Sequence, residues 1–140
     1  DSPQAIRMIS WVGTKLPANA TAIGKALLSD LTDEQIRDLY RDGLPKLTEH
    51  TISDMDLLLG QIEQIRCGEI ATETEESTPQ MRCFAVPIRQ NGRVDAALSI
   101  SVPIFRYTDE KRVQICQCLR EEQQQIEQLV GLYNFELIKP

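Results

Sequence analysis

Apolar residues recur at helical spacing in four stretches of the chain and alternate with a period of two in a pair of others. Residues 5–11 lean toward a strand, and Gly13 and Pro17 punctuate the segment after it. A short helix then fits residues 20–29. Thr32-x-x-Gln35 opens a capping box, with Ile36, Leu39 and Tyr40 at helical spacing behind it and Gly43 as the stop. Ser53-x-x-Asp56 has the form of a second start, with Leu58, Ile62 and Ile65 as the apolar stripe and Gly68 closing the helix. Thr108 begins the last and longest helix, where Val113, Cys116, Leu119, Ile126, Val130 and Tyr133 recur every three or four residues. Such a one-sided stripe requires a surface to bury it.

The strand signal lies between the third and fourth helices. Residues 81–89 and 93–102 flank Gln90-Asn91-Gly92, a hairpin punctuation. Phe84, Val86 and Ile88 share one face of the first strand, as do Val94, Ala96, Leu98 and Ile100 of the second. Met81, Cys83 and Ala85, then Ala97, Ser99 and Ser101, occupy the other. A strict two-residue Asn-Gly turn would set Cys83 beside Ile100 and Phe84 beside Ser99, mixing the faces. A three-residue loop with left-handed Gly92 sets Phe84 opposite Leu98 and Cys83 opposite Ser99. The second register is favoured because it leaves one apolar face to bury whole. Helices interspersed with an antiparallel sheet place the chain in the α+β class.

Composition narrows the function. With 140 residues, 41% hydrophobic and 26% charged, the chain has the make-up of one globular domain with a real core. Its formal net charge of -6, and the lack of any Lys/Arg cluster, argue against a direct grip on nucleic acid. No apolar run is long enough to cross a bilayer and no signal peptide is visible. A chain of this size needs no disulfide staples, so Cys67, Cys83, Cys116 and Cys118 are read as thiols in a reducing, cytoplasmic setting. Asn19-Ala20-Thr21 is a formal glycosylation sequon that carries no weight in that compartment. An opening Asp1 in place of Met is the expectation of a fragment.

Candidate chemistry gathers on the small-residue face of the hairpin. Cys83, Ser99 and Ser101 offer a thiol and two hydroxyls, which donate hydrogen bonds to a carboxylate or keto oxygen, with Met81 at the rim. Packing beneath a helix would explain any one of them; three together point to a pocket. Thr21-Ala22-Ile23-Gly24 falls at a helix start, where unpaired amides favour an anion. Gly24-Lys25 is no phosphate loop, since the preceding glycine and the following hydroxyl residue are missing. Glu73, Glu75 and Glu76 form an acidic cluster, read as a mainly solvated loop with one carboxylate turned inward. The one histidine, His50, lies in a Thr-Glu-His-Thr loop and reads as a surface residue, which counts against Cys–His or Ser–His–Asp catalysis. Cys116-x-Cys118 has neither zinc nor redox spacing. No cofactor or metal is called for.

Three segments resemble a known family. Leu16-Pro17-Ala18-Asn19-Ala20-Thr21-Ala22-Ile23-Gly24-Lys25-Ala26-Leu27-Leu28 is similar to the LPxHATAxGKALLA signature of IclR-type regulators. Arg66-Cys67-Gly68 through Glu75-Glu76, then Arg82-Cys83-Phe84-Ala85-Val86-Pro87-Ile88, resembles its RxxGYAxDxEE…xxCxAAPI pattern. Ala96-Ala97-Leu98-Ser99-Ile100-Ser101-Val102-Pro103 is similar to AALSISGP. The matches are in order, correctly spaced, and span residues 16–103.

What the resemblance implies is one effector-binding domain over residues 1–140, related to GAF and PAS folds, of a transcription regulator whose N-terminal winged helix-turn-helix lies outside this chain. DNA would be met only through that missing part, the chain would form a homodimer or homotetramer, and its effector would be a small carboxylate such as a keto, hydroxy or sugar acid. The implied effector contacts are the amides of Ala22 and Ile23, the acid Glu73, the polar groups of Cys83, Ser99 and Ser101, and apolar walls at Met8, Leu16 and Met81. The family's usual Asp is here Glu73, its common His is Asn19, and Ile23 stands where a small residue is usual. The family domain also begins with a helix and strands upstream of the match, so a partial domain is expected. Two alternatives are a thiol enzyme using Cys83 and a ligand-free dimerisation module built on the long helix.

Overall fold

A computed structural model describes residues 12–133. The strand expected over residues 5–11, and Met8 with it, lie outside the described residues. The order is a 3-10 turn (Ala18–Ala20), α1 (Ala22–Leu28), α2 (Asp33–Leu39), α3 (Met55–Arg66), β1 (Ala71–Thr74), β2 (Met81–Gln90), β3 (Arg93–Pro103), a second 3-10 turn (Ile104–Arg106) and α4 (Asp109–Tyr133). The strands form one antiparallel sheet in the order β1-β2-β3. The α+β class read from the sequence holds.

Local chemistry accounts for the helix starts. Thr32 and Gln35 make the complete capping box, each side chain serving the other's backbone N–H. At α3 the cap is Asp54 and not Ser53: its carboxylate accepts from Asp56 N and Leu57 N, which favours the negative cap over the neutral hydroxyl one residue earlier. Gly68, at φ +104°, ends α3 in the left-handed conformation that suits glycine. Thr108 caps α4 through Lys111 N.

Neither hairpin register weighed from the sequence is the observed one. Asn91 and Gly92 both have positive φ, 52° and 76°, and Gln90 pairs with Arg93, so the turn is the two-residue form. Arg89 then pairs with Val94 but Ile88 with Ala96, leaving Asp95 as the extra residue of a bulge. That bulge restores the parity the turn alone would have broken. Phe84 therefore faces Ile100 and Cys83 faces Ser101, each two residues from the expected partner.

The sheet is covered on both sides. Phe84, Val86 and Val102 pack with Ile115 and Leu119 of α4. Gln123, buried on the same helix, donates from Nε2 to the Pro87 carbonyl at 2.8 Å, and Glu127 Oε1 accepts from Arg89 N. The helix docks through a narrower stripe than expected: Val113 and Tyr133, assigned to the buried face, are exposed. On the opposite side Ala22 and Ala26 of α1 pack against Ala71, Ala85 and Ile65. Alanines on both partners let α1 come close to the sheet. Leu28, Ile36, Leu58, Leu59 and Ile62 form a separate core where α1, α2 and α3 meet. Pro87 lies beyond Ala85, the last β2 residue paired with β1 near that end, so its missing N–H interrupts no ladder on that side.

Candidate functional site

The register sets Glu73 of β1, Cys83 of β2 and Ser101 of β3 in one row across the sheet, on the face turned to α1. The next row, Ala71, Ala85 and Ser99, is small. Small side chains there leave a cavity of about 170 Å³, lined by Leu16, Thr21, Ala22, Ile23, Glu73, Ser77, Thr78, Met81, Cys83, Ser99 and Ser101. Eight of the nine residues singled out in the sequence thus converge on one space; the ninth, Met8, is outside the described residues. Thr21, Ser77 and Thr78 were missed. Thr21 was read only as part of a helix start. Ser77 and Thr78 follow β1 in an irregular loop, where no periodicity tells which way a side chain turns.

Sequence reading also missed β1, and with it the acidic cluster's surroundings. Glu73 and Glu76 are both buried and Glu75 is half-buried, so the cluster is no solvated loop. Glu73 Oε2 accepts from Glu76 N at 2.9 Å and its Oε1 from Ser77 Oγ at 3.0 Å. Glu76 turns away toward the fully buried Lys25, whose Nζ is 2.6 Å from Oε2. Desolvation raises the Glu76 carboxyl above its ordinary range, while the Lys25 ammonium holds it down in part. The loop is fixed further by Thr48 Oγ1 on the Glu75 carbonyl and Thr51 Oγ1 on the Glu76 carbonyl, both at 2.6 Å.

At the α1 end, Thr21 Oγ1 accepts from Gly24 N at 3.0 Å and the Thr21 carbonyl from Lys25 N. Ala22 and Ile23 line the cavity from the first turn of α1, where backbone amides have no intrahelical acceptor. Cys83 Sγ lies 3.2 Å from Ser101 Oγ. Burial pushes the Cys83 thiol up to about 12, with Glu73 adding to the shift and Ser101 opposing it. At neutral pH it is a weak hydrogen-bond donor and not a nucleophilic thiolate. His50 stands in an exposed loop beside Glu49 and Glu75, away from the cavity lining. Asn19 is buried and donates to the Pro45 carbonyl, so it supports the neighbouring loop. All four cysteines are free, and no cluster of three or more potential metal ligands occurs among the described residues. No described helix is long and apolar enough to cross a membrane.

Comparison with known proteins places the chain in a class of bacterial transcription regulators. The HTH-type transcriptional regulator KdgR of Dickeya chrysanthemi is 31% identical over 137 residues, 96% of this chain and 45% of its own length. The HTH-type transcriptional repressor AllR of Escherichia coli K12 is 34% identical over 129 residues, 91% of this chain and 48% of its own. The inducer-binding domain of a PobR double mutant from Acinetobacter, solved as a complex with 3-hydroxybenzoic acid, matches with a TM-score of 0.78 at 32% identity, over 91% of this chain and 77% of that one. The family described as bacterial transcriptional regulator IclR C-terminal matches residues 1–128. The chain belongs to the IclR family, as its C-terminal domain. It spans about half the length of the curated relatives it matches. These relatives are regulators and not enzymes, which sets the catalytic alternative aside.

Proposed function

We propose that this domain senses a small carboxylate, such as a keto, hydroxy or sugar acid, held in the cavity between α1 and the sheet. The observation that carries the reading is the convergence of Ala22, Ile23, Glu73, Cys83, Ser99 and Ser101 on one space of about 170 Å³. A cavity of roughly 150 Å³ accepts a benzene-sized molecule, so the fit is to a compact metabolite. Two amides and two hydroxyls supply donors for carboxylate oxygens, and Leu16 and Met81 supply apolar walls. The similar PobR domain was solved with a small aromatic acid. In a cytoplasmic homodimer or homotetramer, a bound acid would favour one arrangement of the subunits and so alter DNA contact through an N-terminal domain outside this chain. Titration calorimetry with a panel of 2-oxo, 2-hydroxy and sugar acids tests the reading. At least one acid binds, and Ser99→Ala with Ser101→Ala weakens it about tenfold or more, the loss of two donors. Silence across the panel overturns the proposal.

A further inference from the structure

The cavity has two polar walls from different parts of the chain. Thr21, Ala22 and Ile23 belong to the start of α1, and Ser77 and Thr78 to the loop after β1. A direct polar link joins those two parts from behind the cavity lining, to which neither of its members belongs. Lys25, one turn beyond Ala22, places Nζ 2.6 Å from Oε2 of Glu76, the residue before Ser77. Both ends are buried, Lys25 at 0% exposed and Glu76 at 6%. Each end is tied to its surroundings as well. Lys25 Nζ donates to the Thr72 carbonyl of β1 at 3.4 Å. Glu76 Oε1 accepts from Ile52 N at 3.4 Å, and the Glu76 carbonyl accepts from Thr51 Oγ1 at 2.6 Å.

As a stabiliser such a pair is weak. Desolvation of two buried charges offsets most of their attraction, and apolar side chains of similar volume commonly serve a fold as well or better. Here desolvation outweighs the Lys25 attraction, since the Glu76 carboxyl is raised. What an apolar pair cannot supply is a fixed separation: methylenes pack at many offsets, whereas an ammonium–carboxylate bond holds one short distance. An acid that bridges both walls needs its partners within about 0.5 Å of the right geometry. Resting on the carboxylate-sensing reading above, we infer that Lys25 and Glu76 are positioning residues, which hold the first turn of α1 against the Ser77–Thr78 loop and so preorganise the cavity for the acid.

A split between stability and affinity tests this. Pyruvate, both enantiomers of lactate, gluconate and 3-hydroxybenzoate are titrated calorimetrically into wild type, Lys25→Met and the double variant Lys25→Met, Glu76→Met, and all three are melted. Lys25→Met lowers both the melting temperature and the affinity for whichever of these acids wild type binds. The second substitution removes the stranded carboxylate and returns the melting temperature toward wild type. Affinity stays about tenfold or more below wild type, the scale of one or two groups that the acid must now order itself. A pair with a merely structural role would let affinity return with stability; that result overturns the inference and leaves carboxylate sensing standing. Should the double variant not recover its stability, Glu76→Gln, of the same shape, is compared with Leu119→Ala, a cavity-forming change on the far face of the sheet. Glu76→Gln then loses acid affinity and Leu119→Ala keeps it, and equal affinities in the two overturn the inference. Binding of none of the acids to wild type overturns both readings.

Discussion

Gly24 sits inside α1 without a positive φ, so alanine would ordinarily improve the helix there by about 1 kcal/mol. Space forbids it. A Cβ built at Gly24 lies 2.4 Å from both Cα and the carbonyl oxygen of Ala18 and 2.6 Å from Thr21 Oγ1. Two of those atoms are backbone and the third is the helix cap, so none can swing aside. Gly24→Ala is expected to cost about 1–3 kcal/mol, the range for overpacking a filled site, despite the better propensity. Urea denaturation reads the sign directly, and a stabilised variant would refute the clash. Gly92 is the opposite case: a Cβ there meets nothing within 4 Å, and the requirement is the φ of +76° that the tight turn imposes. Sequence alone marks both glycines and separates neither reason, because one depends on a backbone six residues away and the other on a dihedral.

Among the elements, the hairpin and the β1–β2 loop show where sequence stops being legible. Alternation gave the faces of β2, and of β3 from Ala96 onward, since burying the Phe84 face whole is an energetic demand readable from side-chain type. Val94, expected on the Phe84 face, pairs with Arg89 before the bulge and so falls on the other one. Pairing partners came out two residues off because Asp95 carries no mark of a bulge; a solvent-facing Asp next to a turn looks like any other. β1 escaped because four residues alternating Ala-Thr-Glu-Thr hold no apolar stripe, and a carboxylate at an inward position argues against burial until its partners are known. The Lys25–Glu76 pair lay beyond reach for the same reason, its members standing 51 positions apart in the chain. Lys25 is 0% exposed, so Lys25→Met would leave Glu76 desolvated and unpaired, at a cost of about 3–5 kcal/mol near neutral pH. Burial already raises the Glu76 carboxyl, and removing the ammonium raises it further. A carboxyl with a raised native value favours the folded state below its unfolded range, and that advantage is lost as pH rises through the native value. The Lys25→Met deficit should therefore shrink as pH falls from neutrality toward about 5. Urea melts of both proteins across that interval check it, and a pH-independent deficit would show that packing, and not charge, supplies the cost.

At the scale of the whole molecule, the cavity occupies the junction of three otherwise separate parts: the first turn of α1, the central row of the sheet and the loop after β1. α1 also joins the sheet-side alanine cluster to the helical core of α2 and α3. A ligand touching all three parts can bind only when they are assembled, so its binding energy adds to the stability of the entire domain. Mass action sets the size of the effect. At a free acid concentration one hundred times its dissociation constant, the folded state gains about 2.7 kcal/mol. For a domain near 150 residues each kcal/mol moves the melting temperature by about 2–4 °C, giving a rise of roughly 5–10 °C. The Ser99→Ala, Ser101→Ala pair should cut that rise to about half or less at the same acid concentration, because a tenfold loss of affinity removes about 1.3 kcal/mol of the gain. A domain serving only as a dimerisation module behaves differently: its melting temperature tracks protein concentration and ignores the acid. Scanning calorimetry at two protein concentrations, each with and without the tightest-binding acid, separates the two behaviours, and a melting temperature unmoved by saturating acid would mean that the cavity does not couple these three parts.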